Sequence, residues 1–133
     1  HCLETFISKA ELDWAGFFAY SREEGTPAYN FKGSASGFLG RTSVNRRVEK
    51  LKVLQEGVTL ARMERFTGRE LDVLMEEQVK GESLTLGRAY LHAPDVDGLV
   101  VVKGLFAPGS LIRCRIQKRN GIDLEGEPVR CPR

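Results

Sequence analysis

Apolar and polar positions recur with two different periods along this chain, and the change of period divides it. Leu3, Phe6, Ile7 and Ala10 stand at helical spacing, so residues 3–10 are predicted as the end of an amphipathic helix. Trp14, Ala15, Gly16, Phe17, Phe18, Ala19 and Tyr20 form a short apolar and aromatic run, which suits a buried strand better than a helix. A helix followed by a strand is half of an α/β unit and cannot bury both faces alone, so a preceding domain is expected. Residues 21–42 carry Gly25, Pro27, Gly33, Ser34, Ser36, Gly37 and Gly40, the composition of a loop, with Tyr29, Phe31 and Phe38 expected to pack. A long helix is predicted over residues 43–66, with Ser43 as N-cap and Gly68 at C′. Val44, Val48, Leu51, Leu54, Val58 and Ala61 make its apolar stripe, with Arg46, Arg47, Lys50 and Glu56 mostly off it. Gly57 marks a possible kink or close contact within it.

Beyond Gly68 the period drops to two. Alternating runs at residues 69–77, 83–91, 99–103, 110–118 and 122–129 predict five short strands. Asp97-Gly98 and Asn120-Gly121 read as two-residue hairpin turns, because both positions tolerate positive φ. Five short strands cannot make a stable flat sheet wet on both faces, so closure into a small antiparallel OB-like barrel is expected. Alternation sends Ile112, Cys114 and Ile116 inward and Arg113, Arg115 and Gln117 outward. The fold class is therefore an α+β fragment: helix, strand and loop, a linking helix, then a barrel. Its pieces are residues 1–42, 43–67 and 68–133.

Composition narrows the function classes. Hydrophobic residues at 41% and charged residues at 29% describe a globular chain. No apolar run approaches the roughly 20 residues of a membrane span. The first residues form no signal peptide, and their lack of Met suggests that His1 lies inside a longer protein. Cys2, Cys114 and Cys131 are odd in number and far apart, so they read as reduced cytoplasmic thiols without metal-ligand spacing. Twenty basic against 18 acidic residues argue against a strongly electrostatic nucleic-acid binder.

Two stretches carry a family resemblance. Residues 13–28, from Asp13-Trp14-Ala15-Gly16 through Tyr20-Ser21-Arg22-Glu23-Glu24-Gly25-Thr26-Pro27-Ala28, resemble the last strand and following loop of the radical-SAM half-barrel in methylthiotransferases. Gly87-Arg88-Ala89, then Ala93-Pro94-Asp95-Val96-Asp97-Gly98 and the strand at residues 100–102, resemble the TRAM domain that ends those enzymes. The Ala-Pro-Asp-Val-Asp-Gly form is similar to the RimO-type branch, which modifies a ribosomal protein. The sister branch, which modifies transfer RNA, typically has a Phe-Ser-Pro-Arg-Pro-Gly-Thr-like run where this chain has residues 20–26.

The resemblance implies a substrate-recognition, carboxy-terminal part of an enzyme that replaces a C–H bond by C–S–CH₃ on an aspartate of a small-subunit ribosomal protein. Such a bond is too inert for acid–base chemistry, hence two 4Fe–4S clusters and S-adenosylmethionine in the longer protein. The cluster cysteines have no counterpart here, so this chain is expected to bind no cofactor and to catalyse nothing alone. A cytoplasmic monomer is expected, with the ribosomal protein as partner. The alternative is an RNA-binding TRAM module of a transfer-RNA methylthiotransferase.

Each candidate site residue also fits a plainer role. Tyr20 and Ser21 end the predicted strand and would border a cofactor cavity, or simply cap a strand and open a turn. Glu23 and Glu24 are adjacent in a polar loop and read as solvated. His92 reads as a partly exposed loop histidine. Arg88, Lys103, Arg113, Arg115 and Lys118, with Arg119 and Tyr90, would suit a partner such as RNA if they shared a face. The same cations would equally suit a surface laced to Glu70, Asp72, Glu76 and Glu125. An acidic set, Asp95, Asp97, Asp123, Glu125 and Glu127, would suit a basic protein loop.

Overall fold

The helical spacing at the start of the chain produces α1, Cys2–Ala10, with Glu4 in its first turn and Lys9 in its last, both favourable to the helix dipole. It ends without a glycine: Glu11 takes the left-handed conformation (φ 47°) and its N–H returns to the Ile7 carbonyl at 3.3 Å. This computed structural model describes residues 2–21, 23–30, 41–94 and 96–129. It divides into two units, residues 1–58 and 59–133.

In the first unit α1 lies beside the second helix, α2, Arg41–Glu64. Lys50 reaches Glu4 at 2.9 Å, and the Gln55 side-chain amide donates to the Leu12 carbonyl at 2.8 Å. The expected strand at residues 14–20 is not formed, and Phe18 is almost fully exposed. An apolar run becomes a strand only by pairing with a neighbour, and the described residues of this unit include no strand. The loop that follows contains a 3₁₀ turn, Pro27–Asn30. Phe31, Phe38 and the glycines and serines of residues 33–40 lie outside the described residues.

The helix α2 begins two residues before Ser43, which therefore sits in the first turn and is no N-cap. Its most buried positions are Gln55, Thr59 and Met63, spaced by four, whereas Ala61 of the predicted stripe is exposed. Burial follows what packs on the helix rather than the apolar count along it. Gly57 has open space where a Cβ would go, so close contact does not explain it.

The second unit is the barrel. Its strands are β1 Glu70–Gln78, β2 Leu84–Arg88, β3 Val100–Lys103, β4 Leu111–Asn120 and β5 Asp123–Pro128, closed in the order β1-β2-β3-β5-β4. Four of the pairings are antiparallel, but β3 and β5 run parallel, a departure from the all-antiparallel expectation. Inserting β5 between β3 and β4 makes this unavoidable, since both flanks of a closed ring must be paired. Register shifts at Met75/Glu77 and Ile116/Lys118 are bulges, which add the coiling that closure needs.

Alternation packs the interior: Leu71, Val73 and Met75, Thr85, Val100 and Val102, Cys114 and Ile116, and Leu124 are all buried. Met63 and Phe66 are buried at the end where the helix enters. Gly68 is pinned to the barrel by its N–H on the Ile116 carbonyl at 2.8 Å.

The two expected hairpins differ. Asn120 pairs with Asp123, so a two-residue turn exists, with Gly121 (φ 63°) and Ile122 as its central residues. Asp97-Gly98 is not a hairpin turn. Gly87 pairs with Val100, and the whole connection between them spans residues 88–99. Gly98 serves close approach instead: a Cβ there would stand 2.5 Å from the Ile122 carbonyl oxygen.

Candidate partner-binding surface

Outward strand positions bring each predicted cation opposite an acid. In the β1–β4 register Glu70 faces Arg115 and Asp72 faces Arg113. Arg113 Nη1 holds both carboxylate oxygens of Asp72 at 3.1 Å, and Arg115 Nη2 holds Glu70 at 2.7 Å. The Arg115 guanidinium, then that of Arg113, keeps the Glu70 carboxyl below its usual range. Asp72 correspondingly raises the Arg113 pKa. Around the ring, Arg88 meets Glu76 at 2.6 Å, Lys103 meets Glu127 at 2.7 Å and Lys118 meets Glu125 at 3.1 Å. Arg119 meets Glu64 at 3.2 Å and also donates to the Gly121 carbonyl. Exposed pairs of this kind add little stability each, but they cancel the charge of every cation in the set.

Nor do these cations share one face. Arg113 and Arg115 stand over the β1–β4 pair, and Arg88 lies on β2. Lys103 and Lys118 flank a groove of about 580 Å³ over β3, β5 and β4, lined also by Leu84, Val101 and Gln117. Tyr90 does not line that groove and stands edge-on to Phe66 at 6.4 Å.

The acidic set is likewise employed locally. Asp97 accepts the Ala93 N–H at 3.0 Å and Asp123 the Leu99 N–H at 2.9 Å, and both bonds tie down the connection from β2 to β3. Glu125 and Glu127 are spent on lysines. Asp95 lies outside the described residues. His92 is buried, contrary to the exposed loop reading, because the connection folds its ring inward, where Nδ1 accepts the Ala89 N–H at 3.3 Å. Burial lowers its pKa, while Asp97 and Asp123 oppose the shift. Alternation alone does not reveal that this connection is a built loop; its marks in the sequence are Asp97 and Asp123, which tie the backbone, and Gly98, which permits close approach.

In the first unit, Tyr20 donates to the Ala28 carbonyl at 3.1 Å and Ser21 to Glu23 at 2.7 Å, so both stabilise their own loop. Glu23 and Glu24 are exposed. No group of three His, Cys, Asp or Glu suited to a metal occurs among the described residues. Of the described thiols, Cys2 is exposed and Cys114 sits inside the barrel with its pKa pushed up by burial to about 11; Cys131 is outside the described residues. No described helix is long and apolar enough to cross a membrane.

The family model of the TRAM domain matches residues 67–129, which contain all five strands. Over 93% of its length the chain is 37% identical to the ribosomal protein uS12 methylthiotransferase RimO of Treponema denticola. It is 33% identical to that of Carboxydothermus hydrogenoformans over 92% and 35% identical to that of Chloroflexus aurantiacus over 97%. The chain spans 27–28% of the length of these relatives. With a TRAM barrel following two helices, and this likeness over nearly all of its residues, the chain belongs to the RimO-type ribosomal protein methylthiotransferase family as its carboxy-terminal part.

Proposed function

We propose that this chain is the substrate-recognition part of a radical-SAM methylthiotransferase that modifies an aspartate of a small-subunit ribosomal protein. The observation that carries the reading is the likeness to RimO proteins over more than nine-tenths of the chain, helices and barrel alike. In this reading residues 1–42 close the radical-SAM domain, residues 43–67 link, and residues 68–133 hold the substrate. The 4Fe–4S clusters and S-adenosylmethionine, which supply the radical chemistry, belong in this reading to the rest of the longer protein. The chain acts as a monomer in the cytoplasm. The charge pairing around the barrel supports a protein partner over RNA, because a phosphate backbone rewards unspent cations.

Titrating the chain with purified uS12 and, separately, with single-stranded and hairpin RNA tests this. Saturable uS12 binding with weaker, salt-sensitive RNA binding is expected. Tight RNA binding that collapses between ~50 and 200 mM salt, without uS12 binding, would instead mark an RNA-binding module of a transfer-RNA enzyme.

A further inference from the structure

The cations of the first unit differ from those set along the barrel strands. Lys9 on α1 and Arg46 and Arg47 on α2 are exposed, and no ion pair engages any of them among the described residues. Arg69 and Lys80 of the second unit are unmatched too, but they stand beyond opposite ends of β1, Glu70–Gln78, and make no common patch. Arg47 and Lys9, by contrast, line one groove between α1 and α2. Its two stretches, of about 340 and 550 Å³, meet at the Lys50–Glu4 pair, with Arg47 in one stretch and Lys9 in the other. Arg46 precedes Lys50 by four residues, so helical spacing places it one turn from the same pair.

Charge and spacing select the occupant. Glu4 is the one acid lining either stretch, and Lys50 answers it at 2.9 Å, which leaves the other cations of the groove uncancelled. Glu49, the nearest acid on α2 in sequence, is held by Lys52 at 2.7 Å. Covering an unmatched cation with more protein is costly, so the groove suits a ligand that brings its own negative charge. Successive turns of a helix repeat every ~5.4 Å, and cations set at that interval form a track rather than a single anion pocket. Thr5 and Ser8 line the same groove with hydroxyl groups. Lysine, arginine, serine and threonine side chains are the usual contacts of a nucleic-acid backbone.

We propose that the α1–α2 groove is a phosphate track for RNA, contacted by Lys9, Arg46 and Arg47, and that the RNA is the strand lying beside the protein substrate in the small ribosomal subunit. Such contacts carry no base sequence; they orient the chain on the particle while another surface reads the protein. The identity of the RNA rests on the ribosomal-protein reading above, and the test separates the two.

Binding of a fluorescent RNA hairpin to the full chain is followed by anisotropy between ~50 and 200 mM salt. The wild type is compared with a triple variant, Lys9→Gln, Arg46→Gln and Arg47→Gln, and with Arg113→Gln, Arg115→Gln on β4. The triple variant is expected to bind more weakly, with the slope of log affinity against log salt reduced by about 3. The β4 variant should keep the wild-type slope. Melting temperature and binding of free uS12 should be unchanged in the triple variant, which separates lost contacts from misfolding. A wild-type slope in the triple variant overturns the track, as does a wild type that binds no RNA. An equal loss of binding to polyglutamate overturns RNA as the occupant and reassigns the groove to acidic protein. If the slope falls as expected but the wild type binds no uS12, the track stands and the ribosomal-protein reading falls.

Discussion

Replacing Gly87 by alanine should unfold the barrel at a markedly lower temperature, whereas the same change at Gly126 should not. Both glycines lie on inward strand positions of the barrel and both are buried. A Cβ at Gly87 would stand 2.5 Å from the Leu74 carbonyl oxygen and 2.8 Å from Val73 Cγ1. The carbonyl is backbone, held where β1 pairs with both β2 and β4, so it cannot swing aside as a side chain would. A Cβ at Gly126 meets nothing closer than 3.4 Å, which is ordinary contact. Overpacking of a close-packed interior costs about 1–3 kcal/mol. For a domain of this size that corresponds to a fall in Tm of roughly 5–20 °C. Differential scanning calorimetry of the two variants supplies the comparison, with amide exchange at Leu74, which pairs with Arg88, reporting on the β1–β2 ladder. Equal melting temperatures with unchanged exchange would refute the claim that backbone approach, rather than chance, keeps position 87 without a side chain.

Iodoacetamide at neutral pH should label Cys2 rapidly and Cys114 only on unfolding, because a buried thiol with a pKa near 11 carries almost no thiolate; peptide mass spectrometry reads each site. His92 has its pKa lowered in the fold, so below its ordinary value of 6.5 the unfolded chain takes up the proton more readily. Stability should therefore decline as pH falls through and below 6.5, and His92→Gln should flatten that part of a urea-melt profile; an unchanged slope would count against the buried ring. Gly57→Ala should stabilise α2 by about 0.5–1 kcal/mol, since the position is open and helical; a loss of stability would mean that something packs there.

Strand existence was legible because burial alternates with the same period as the residues. Ile112 through Ile116 told inside from outside before any coordinate did, and Cys114 and Ile116 are indeed the buried ones. Pairing order was not legible, since the parallel β3–β5 contact leaves no mark on either strand. The apolar run at residues 14–20 misled for the opposite reason: its pattern is that of a strand, but a strand also needs a neighbour. Alternation was enough to put Arg113 and Arg115 on outward positions, yet their partners decide what those charges do. Cross-strand register places Glu70 and Asp72 against Arg115 and Arg113, and register is a property of the fold.

The position of β5 has a consequence for synthesis of the protein on the ribosome. As the final strand to emerge, it is also the one wedged between β3 and β4, so the ring cannot shut until residues 123–128 have left the exit tunnel. Until then the nascent chain carries two open strand borders, ready to pair with any neighbour. A message cut short ahead of Asp123 would fix that state permanently, and its product should be a substrate for chaperones and proteases rather than a slightly weaker version of the finished molecule.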